Sequence, residues 1–183
     1  VVRHETNFDR LDYLNDLSRY ICKNKPEISE IKQKFYEVMD RKKQSKFLIY
    51  FGAILIASSF TIFFGGNWRD AISSGIMGAA VILMENILSN QEKNEIVYFF
   101  LTSFIAGTIA VIAVEVGLGE NLDKIMIGGI MLLIPGIPLT NAIRDMLIGD
   151  TFSGVLRLVN SFLIAAAVAC GFAVSIILIG GIF

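Results

Sequence analysis

From Phe47 to Phe64 the chain runs for eighteen residues without one charged side chain. As an α-helix rising 1.5 Å per residue, this run is about 27 Å long, close to the thickness of a bilayer's hydrocarbon core. Inside lipid the backbone has no water to bond to, and a helix satisfies its own N–H and C=O groups within the segment. Comparable apolar stretches follow at Ala71 to about Leu88, Ile96 to about Gly117, and Phe152 to Leu178. With 54% hydrophobic and 18% charged residues and a mean hydropathy of +0.62, the chain is too apolar for an ordinary soluble domain. The expected fold class is all-α, a polytopic integral membrane protein with the lipid bilayer as its first partner.

The fourth crossing is irregular. Lys124 to Ile134 offers only eleven residues, about 17 Å or half a bilayer. Pro135 and Gly136 then stop the helix, because proline lacks an N–H and its ring clashes with the preceding turn. Pro138 suits the first position of a new helix, which Gly149 ends. Only with Pro138 to Ile148 added does this stretch cross, so the spacing predicts five transmembrane helices, the fourth broken at Pro135-Gly136. The alternative is a re-entrant hairpin that returns to the same side. In the second half-helix Asn141, Arg144 and Asp145 stand at i, i+3 and i+4, on one helical face. Ser74 with Gly78, and Ser103 with Gly107, are small pairs that let helices approach closely, and Ala165, Ala167, Ala169, Gly171 and Ser175 make the last span thin. The Gly65-Gly66-Asn67-Trp68-Arg69-Asp70 stretch is a tight turn, with Trp68 suited to the interfacial belt.

Ahead of the spans, Phe8, Leu11, Leu14, Leu17 and Ile21 recur at helical spacing, and Ile28, Ile31, Phe35 and Val38 or Met39 repeat the pattern after Pro26. Residues 1–46 are therefore an amphipathic helical hairpin, packing on itself, on upstream residues or on the membrane surface, and 47–183 form the transmembrane domain. Eleven of the sixteen Lys and Arg residues lie in the first 46 positions. The cluster from Arg41 to Lys46 makes the hairpin and N-terminus cytoplasmic by the positive-inside rule, and five crossings put the C-terminus outside. Lys93, Arg144 and Arg157 then fall inside, and Arg69 and Lys124 outside. Val1-Val2-Arg3-His4 has neither an initiator Met nor a signal-peptide pattern, so an upstream segment is expected. Cys22 and Cys170 do not make a disulfide framework, and His4 is the sole histidine; neither a metal site nor a cofactor is expected.

Charged groups within a bilayer usually face a cavity, a partner or an interface. Glu85 and Glu115 lie within two turns of span ends, where a snorkelling or salt-linked carboxylate is inexpensive; each is also a proton-coupling candidate. For Asn141, Arg144 and Asp145 the plain alternative is an ordinary cytoplasmic amphipathic helix, with Leu139, Ile143, Met146 and Leu147 against the bundle. The break at Pro135-Gly136 favours a site, because it exposes backbone groups and a helix terminus to a substrate. Arg144 offers a planar fork for a carboxylate. Asp145 balances it, accepts an ammonium or carries a coupling proton, and Asn141 supplies a donor and an acceptor. Asp150 is a helix cap or a fourth proton-coupling candidate. No phosphate-binding loop, nucleophile elbow or zinc-binding helix occurs, and no basic-aromatic pattern for nucleic acid, which leaves transport rather than an enzyme.

Three stretches carry a resemblance to a known family. M-L-L-I-P-G-I-P-L-T-N-A-I-R-D-M-L-I-G-D-T-F-S-G-V-L-R, ending at Arg157, resembles the signature region of the threonine/serine exporter family. The F-G-G-N-W-R-D turn and N-F-D-R-L-D-Y-L-N-D-L-S-R-Y-I before the first span are also similar to it. The resemblance implies export of threonine, serine or a dicarboxylate such as succinate across the bacterial inner membrane. It also implies a smaller five-span partner subunit or fused second half; a homo-oligomer is the substitute. Pro135, Gly136, Asn141, Arg144, Asp145 and Asp150 match the motif, while the short N-terminus departs from the family. Two halves of opposite orientation would place a site at their shared interface. The leading expectation is a proton-coupled exporter subunit. A scaffold or regulatory subunit that binds a partner through its cytoplasmic helices is the alternative, and a channel the third.

Overall fold

A computed structural model of the protein describes residues 8–41, 45–88 and 94–180, and their regular structure is a series of α-helices. His4, Lys42, Lys43, Gln44 and Lys93, to which the sequence assigns roles, lie outside the described residues. The chain divides between Ser45 and Lys46 into two compact units.

The first unit is a helical hairpin. α1 (Phe8–Asn24) and α2 (Ile28–Met39) are joined through Lys25, which adopts a left-handed φ of 46°. Val38 is its buried residue, so polar contacts at the seam matter. The Tyr20 hydroxyl donates to Glu30 Oε1 at 2.7 Å, Lys34 Nζ lies 3.1 Å from the same oxygen, and Lys34 also sits 3.4 Å from the Tyr20 ring centre. Arg10 donates to the Met39 carbonyl at 2.9 Å. The Tyr20 hydrogen bond, and then Lys34, hold the Glu30 carboxyl below its ordinary value of 4.5. A depressed carboxyl stabilises the fold above its unfolded pKa, and this is lost as pH falls through the folded value. The hairpin is therefore expected to loosen as pH falls below 4.5 and through the depressed folded value. Amide-exchange protection of α1 and α2, corrected for the intrinsic rate at each pH, should fall there in the wild type and be flat with pH in Glu30→Gln.

The second unit contains α3 (Lys46–Phe63), α4 (Trp68–Leu88), α5 (Glu95–Glu115), α6 (Leu122–Leu133), α7 (Gly136–Leu147) and α8 (Thr151–Ile179). α3, α4, α5 and α8 are each long and apolar enough to cross a membrane; α6 and α7 meet the same test together but are bent by 56° at their junction. The unit thus has four membrane-length helices and a broken pair, five spans when that pair counts as one.

Small residues set how these helices approach. A Cβ on Gly78 of α4 would meet the Ala53 carbonyl at 2.9 Å and Ala57 Cβ at 3.0 Å on α3, and Leu132 of α6 at 3.3 Å. A Cβ on Gly128 of α6 would collide with Thr61, Ser74 and the Ala57 carbonyl, and one on Gly129 with Met77. Between α5 and α8 the contact is reciprocal: Gly171 lies against Ser103, and Gly107 against Ser175. Because 103 pairs with 171 and 107 with 175, α5 and α8 run in the same direction. α5 therefore ends where α8 does not begin, and the bent pair carries the chain from one end of the bundle to the other, as a broken span does and a re-entrant hairpin does not. Around these contacts Met77, Ala110, Ile125, Val168 and Phe172 form part of the apolar core.

One end of the bundle is tied by polar contacts. Asn67 and Asp70 make a reciprocal helix cap: Asn67 Oδ1 accepts from the Asp70 N–H, and Asp70 Oδ2 accepts from the Asn67 N–H, both at 3.0 Å. Asp70 Oδ1 also takes the N–H groups of Glu120 at 2.7 Å and Asn121 at 3.0 Å, and Oδ2 takes Asn121 Nδ2 at 2.8 Å. Arg69 bonds to Glu120 at 3.1 Å. The α3–α4 turn and the α5–α6 loop are thereby one structure.

Candidate functional site

Leu132 packs against Gly78, ten residues from either end of α4, so α6 stops at half the depth of the bundle. Its last hydrogen bond runs from the Ile134 N–H to the Ile130 carbonyl at 3.0 Å. Pro135 has no N–H to offer the Met131 carbonyl, and its ψ of 59° turns the chain aside. The Gly136 N–H folds back onto the Ile134 carbonyl at 2.8 Å, and the Leu139 N–H reaches the Pro135 carbonyl at 3.1 Å to open α7. α7 thus begins at Gly136, two residues earlier than the sequence reading placed it, with Pro138 its third residue. This is compatible with proline because N–H groups of a first helical turn have no partner within the helix. A Cβ on Gly136 would meet nothing within 4 Å, so packing does not require glycine there.

Behind the elbow lies a cavity of about 200 Å³ between the end of α6, the start of α7 and α8. Leu133, Ile134, Pro135 and Leu139 line one wall, and Ser161 and Ala165 are on the other. Its lining is nearly all apolar: the Ser161 hydroxyl is turned to the Arg157 carbonyl at 2.9 Å.

Asn141 and Asp145 are half-buried, and Arg144 is exposed. Arg144 does not pair with its neighbour. Asp145 Oδ2 instead lies 3.2 Å from Nε of Arg157 on α8, the two side chains being 20% and 56% exposed. Arg144 and Asn141 have no side-chain hydrogen bond or ion pair among the described residues. The result is one neutralised pair beside one free guanidinium.

The level of this group follows from the α5–α8 register. Arg157 is fourteen residues before Gly171, about 21 Å, and Glu95 is eight before Ser103, about 12 Å. Arg157 therefore stands about 9 Å beyond the N-terminus of α5, at the boundary where α8 leaves the bundle. Asp150 is at the same end and acts as N-cap of α8, accepting from the Ser153 N–H at 3.3 Å. Half-buried Glu85, in the last turn of α4, also belongs to this end. Exposed Glu115 does not: it closes α5 at the Asp70 end, about 30 Å of helix away. Of the carboxylates singled out from the sequence, Glu115 is separated from the rest.

Two residues here carry more than the sequence reading gave them. Arg157 served only as an orientation marker, and twelve residues and a helix boundary separate it from Asp145. Asp70 was part of a turn, although the Asn-x-x-Asp spacing at 67–70 is a capping pattern. Among the described residues no group of three or more His, Cys, Asp or Glu side chains is placed to hold a metal ion.

A family model described as "Putative threonine/serine exporter" matches residues 1–179. A protein of Escherichia coli (strain K12), "Probable succinate transporter subunit YjjP", is 28% identical over 107 residues, covering 58% of this chain and 42% of that protein. The "Threonine/serine exporter" of Corynebacterium glutamicum is 22% identical over 178 residues, 91% of this chain and 35% of its own length. The "Probable threonine/serine exporter" of Mycobacterium tuberculosis is 21% identical over 174 residues, 93% and 32% of the respective chains. The chain thus spans well under half the length of these relatives. No solved structure matches it.

Proposed function

The chain belongs to the threonine/serine exporter family, and from that premise we propose that it is one half or subunit of a secondary transporter that expels a small amino or carboxylic acid from the cell. In this reading the membrane is the bacterial inner membrane, the α1–α2 hairpin and the Arg157 end of the bundle face the cytoplasm, and the Asp70 end faces outward. Arg69 and Lys124 then lie outside and Arg144 and Arg157 inside, in keeping with the basic cluster at Arg41 and Lys46.

The observation that carries the proposal is the charge state around the broken helix. Asp145 is already neutralised by Arg157, which leaves the exposed Arg144 as an uncommitted planar donor set for a carboxylate. Asn141, one turn back on the same face, offers the hydrogen bonds of an amide to a hydroxyl or a second oxygen. A small acid of either class that the relatives' names give carries the carboxylate that Arg144 would bind. The second half of the site comes from a partner: the Escherichia coli relative is named as a subunit, and the exposed side of α7 is where a facing half would close over Arg144. Proton coupling, with Asp145 or Glu85 exchanging the proton, completes the cycle.

Arg144→Gln, expressed with the partner half, is expected to lower efflux of threonine or succinate at least tenfold, as loss of a charge-assisted carboxylate contact does. Insertion and the level of folded protein should be unchanged, because Arg144 has no side-chain partner among the described residues to lose. Wild-type efflux from this variant would refute the assignment, and absence of any flux in proteoliposomes holding both halves would favour a scaffold.

A further inference from the structure

We propose that Arg157 is a second contact for the incoming carboxylate, and that its ion pair with Asp145 is a latch on α7 which that carboxylate loosens by competing for the guanidinium. The inference rests on the reading of Arg144 as the substrate contact and adds to it the element that moves.

Only one edge of Arg157 is engaged. Nε faces Asp145 Oδ2 in an ion pair at 3.2 Å, while the terminal nitrogens have no partner among the described residues. A guanidinium presents five N–H donors in a rigid fork, so its free edge can take a second carboxylate bidentately while Asp145 still holds Nε. Its side chain is more than half exposed, so it is reachable from the aqueous side. An Asp145 that must share this guanidinium is held less firmly, since one cation then divides between two anions.

The surroundings allow the released helix to move. Ser161, Ala165 and Val168 follow Arg157 at four, eight and eleven residues along α8, on one helical face, and all three line the cavity behind Pro135. The latch and the void therefore occupy the same stripe of α8. At the level of the latch α7 packs closely on α8 at Gly154, where a Cβ would meet Met146 at 2.5 Å and the Ala142 carbonyl at 2.8 Å, the two residues that flank Asp145 on α7. That contact is the pivot. Farther back along α7, Leu139 and Pro135 border the cavity of about 200 Å³, and the elbow lacks the helical hydrogen bond that Pro135 removes. With Asp145 released, α7 can rock at Gly154 so that Leu139 and the elbow swing into the void.

The test uses the assembled transporter in proteoliposomes, with Cys22 and Cys170 replaced by Ser and spin labels at Ile137 on α7 and Leu163 on α8. Threonine and succinate are the probes. In the unsubstituted background, whichever acid is transported should shift the inter-label distance distribution. Arg157→Gln should show the shifted distribution without ligand, fail to respond to ligand, and raise KM for transport at least tenfold; Arg157→Lys should be intermediate. The exchange Asp145→Arg with Arg157→Asp should restore the ligand-free distance but neither the response nor KM. Recovery of all three by the exchange would reduce the pair to a structural tie and overturn the proposal. Ala165→Phe, which fills the void without touching the ion pair, should keep the ligand-free distance and abolish the shift; a normal shift would also overturn it. If Arg144→Gln abolishes transport while Arg157→Gln retains the wild-type KM and ligand response, the latch is refuted and the substrate site stands. If Arg144→Gln transports normally, both fall.

Discussion

Replacing Asp70 by Ala is expected to destabilise the transmembrane unit by about 3–5 kcal/mol, the range for stripping the partner from a buried charged hydrogen-bond network. The carboxylate is fully buried and accepts four N–H bonds, from Asn67, Glu120 and the backbone and side chain of Asn121. Alanine leaves three backbone N–H groups and an amide without the acceptor that ties the two loops together. Asp70→Asn should be intermediate, since an amide keeps one oxygen but turns an NH₂ group toward two of those donors. Trp68, the only tryptophan, stands two residues away and reports directly on this end. Denaturation in detergent followed by its fluorescence should show the midpoint falling in the order wild type, Asn, Ala. An unchanged midpoint in Asp70→Ala would mean that the two loops are held by something other than this carboxylate.

Gly171→Val should be nearly as severe. The new Cβ would overlap Ser103 and stand 2.6 Å from the Phe100 carbonyl and 2.9 Å from the Phe104 N–H. Backbone cannot rotate out of the way, so α5 and α8 must separate, and overpacking of this kind costs about 1–3 kcal/mol or more. Gly107→Ala is milder, because its Cβ meets chiefly the Ser175 side chain. Adding Ser175→Gly should recover the loss, whereas no single partner change rescues Gly171→Val. Gly52→Ala, where a Cβ meets nothing within 4 Å, is the neutral control. Thermal midpoints and monodispersity in detergent distinguish the three, and equal behaviour of all would show that the α5–α8 seam is not close-packed through these glycines.

The spans were legible in the sequence because lipid imposes one rule on every residue between two interfaces: a charge-free run of helical length has little alternative. Pro135 and Gly136 marked the break for the same reason, as proline alters a hydrogen-bond ladder wherever it stands. Serine and glycine pairs at 74 and 78, and at 103 and 107, foretold close approach without saying against what. Partner identity is a property of three-dimensional register, and nothing local to Ser103 points to Gly171. The candidate site was legible in the same partial way. Spacing put Asn141, Arg144 and Asp145 on one face, but the one cation weighed as a balance for Asp145, among its open roles, was its neighbour Arg144. Adjacent residues on a helix point about 100° apart, so Asp145 instead reaches Arg157 across the gap between α7 and α8. Asp70 was underweighted because three of the four N–H groups its carboxylate accepts from lie about fifty residues onward, in a loop read only as a short connection.

The half-length α6 carries a consequence for the order in which the bundle assembles. Its 12 residues make about 18 Å of helix, too little to hold a position in the bilayer by its own hydrophobic length. Gly128 and Gly129 give it a bare face whose fit depends on Thr61, Ser74 and Met77 already being in place on α3 and α4. Docking of α6 must then follow the pairing of α3 with α4, and α7, suspended from α6 through Pro135, must follow α6. Synthesis delivers these helices in that same sequence, so the broken crossing can settle as it emerges onto a template completed just before it.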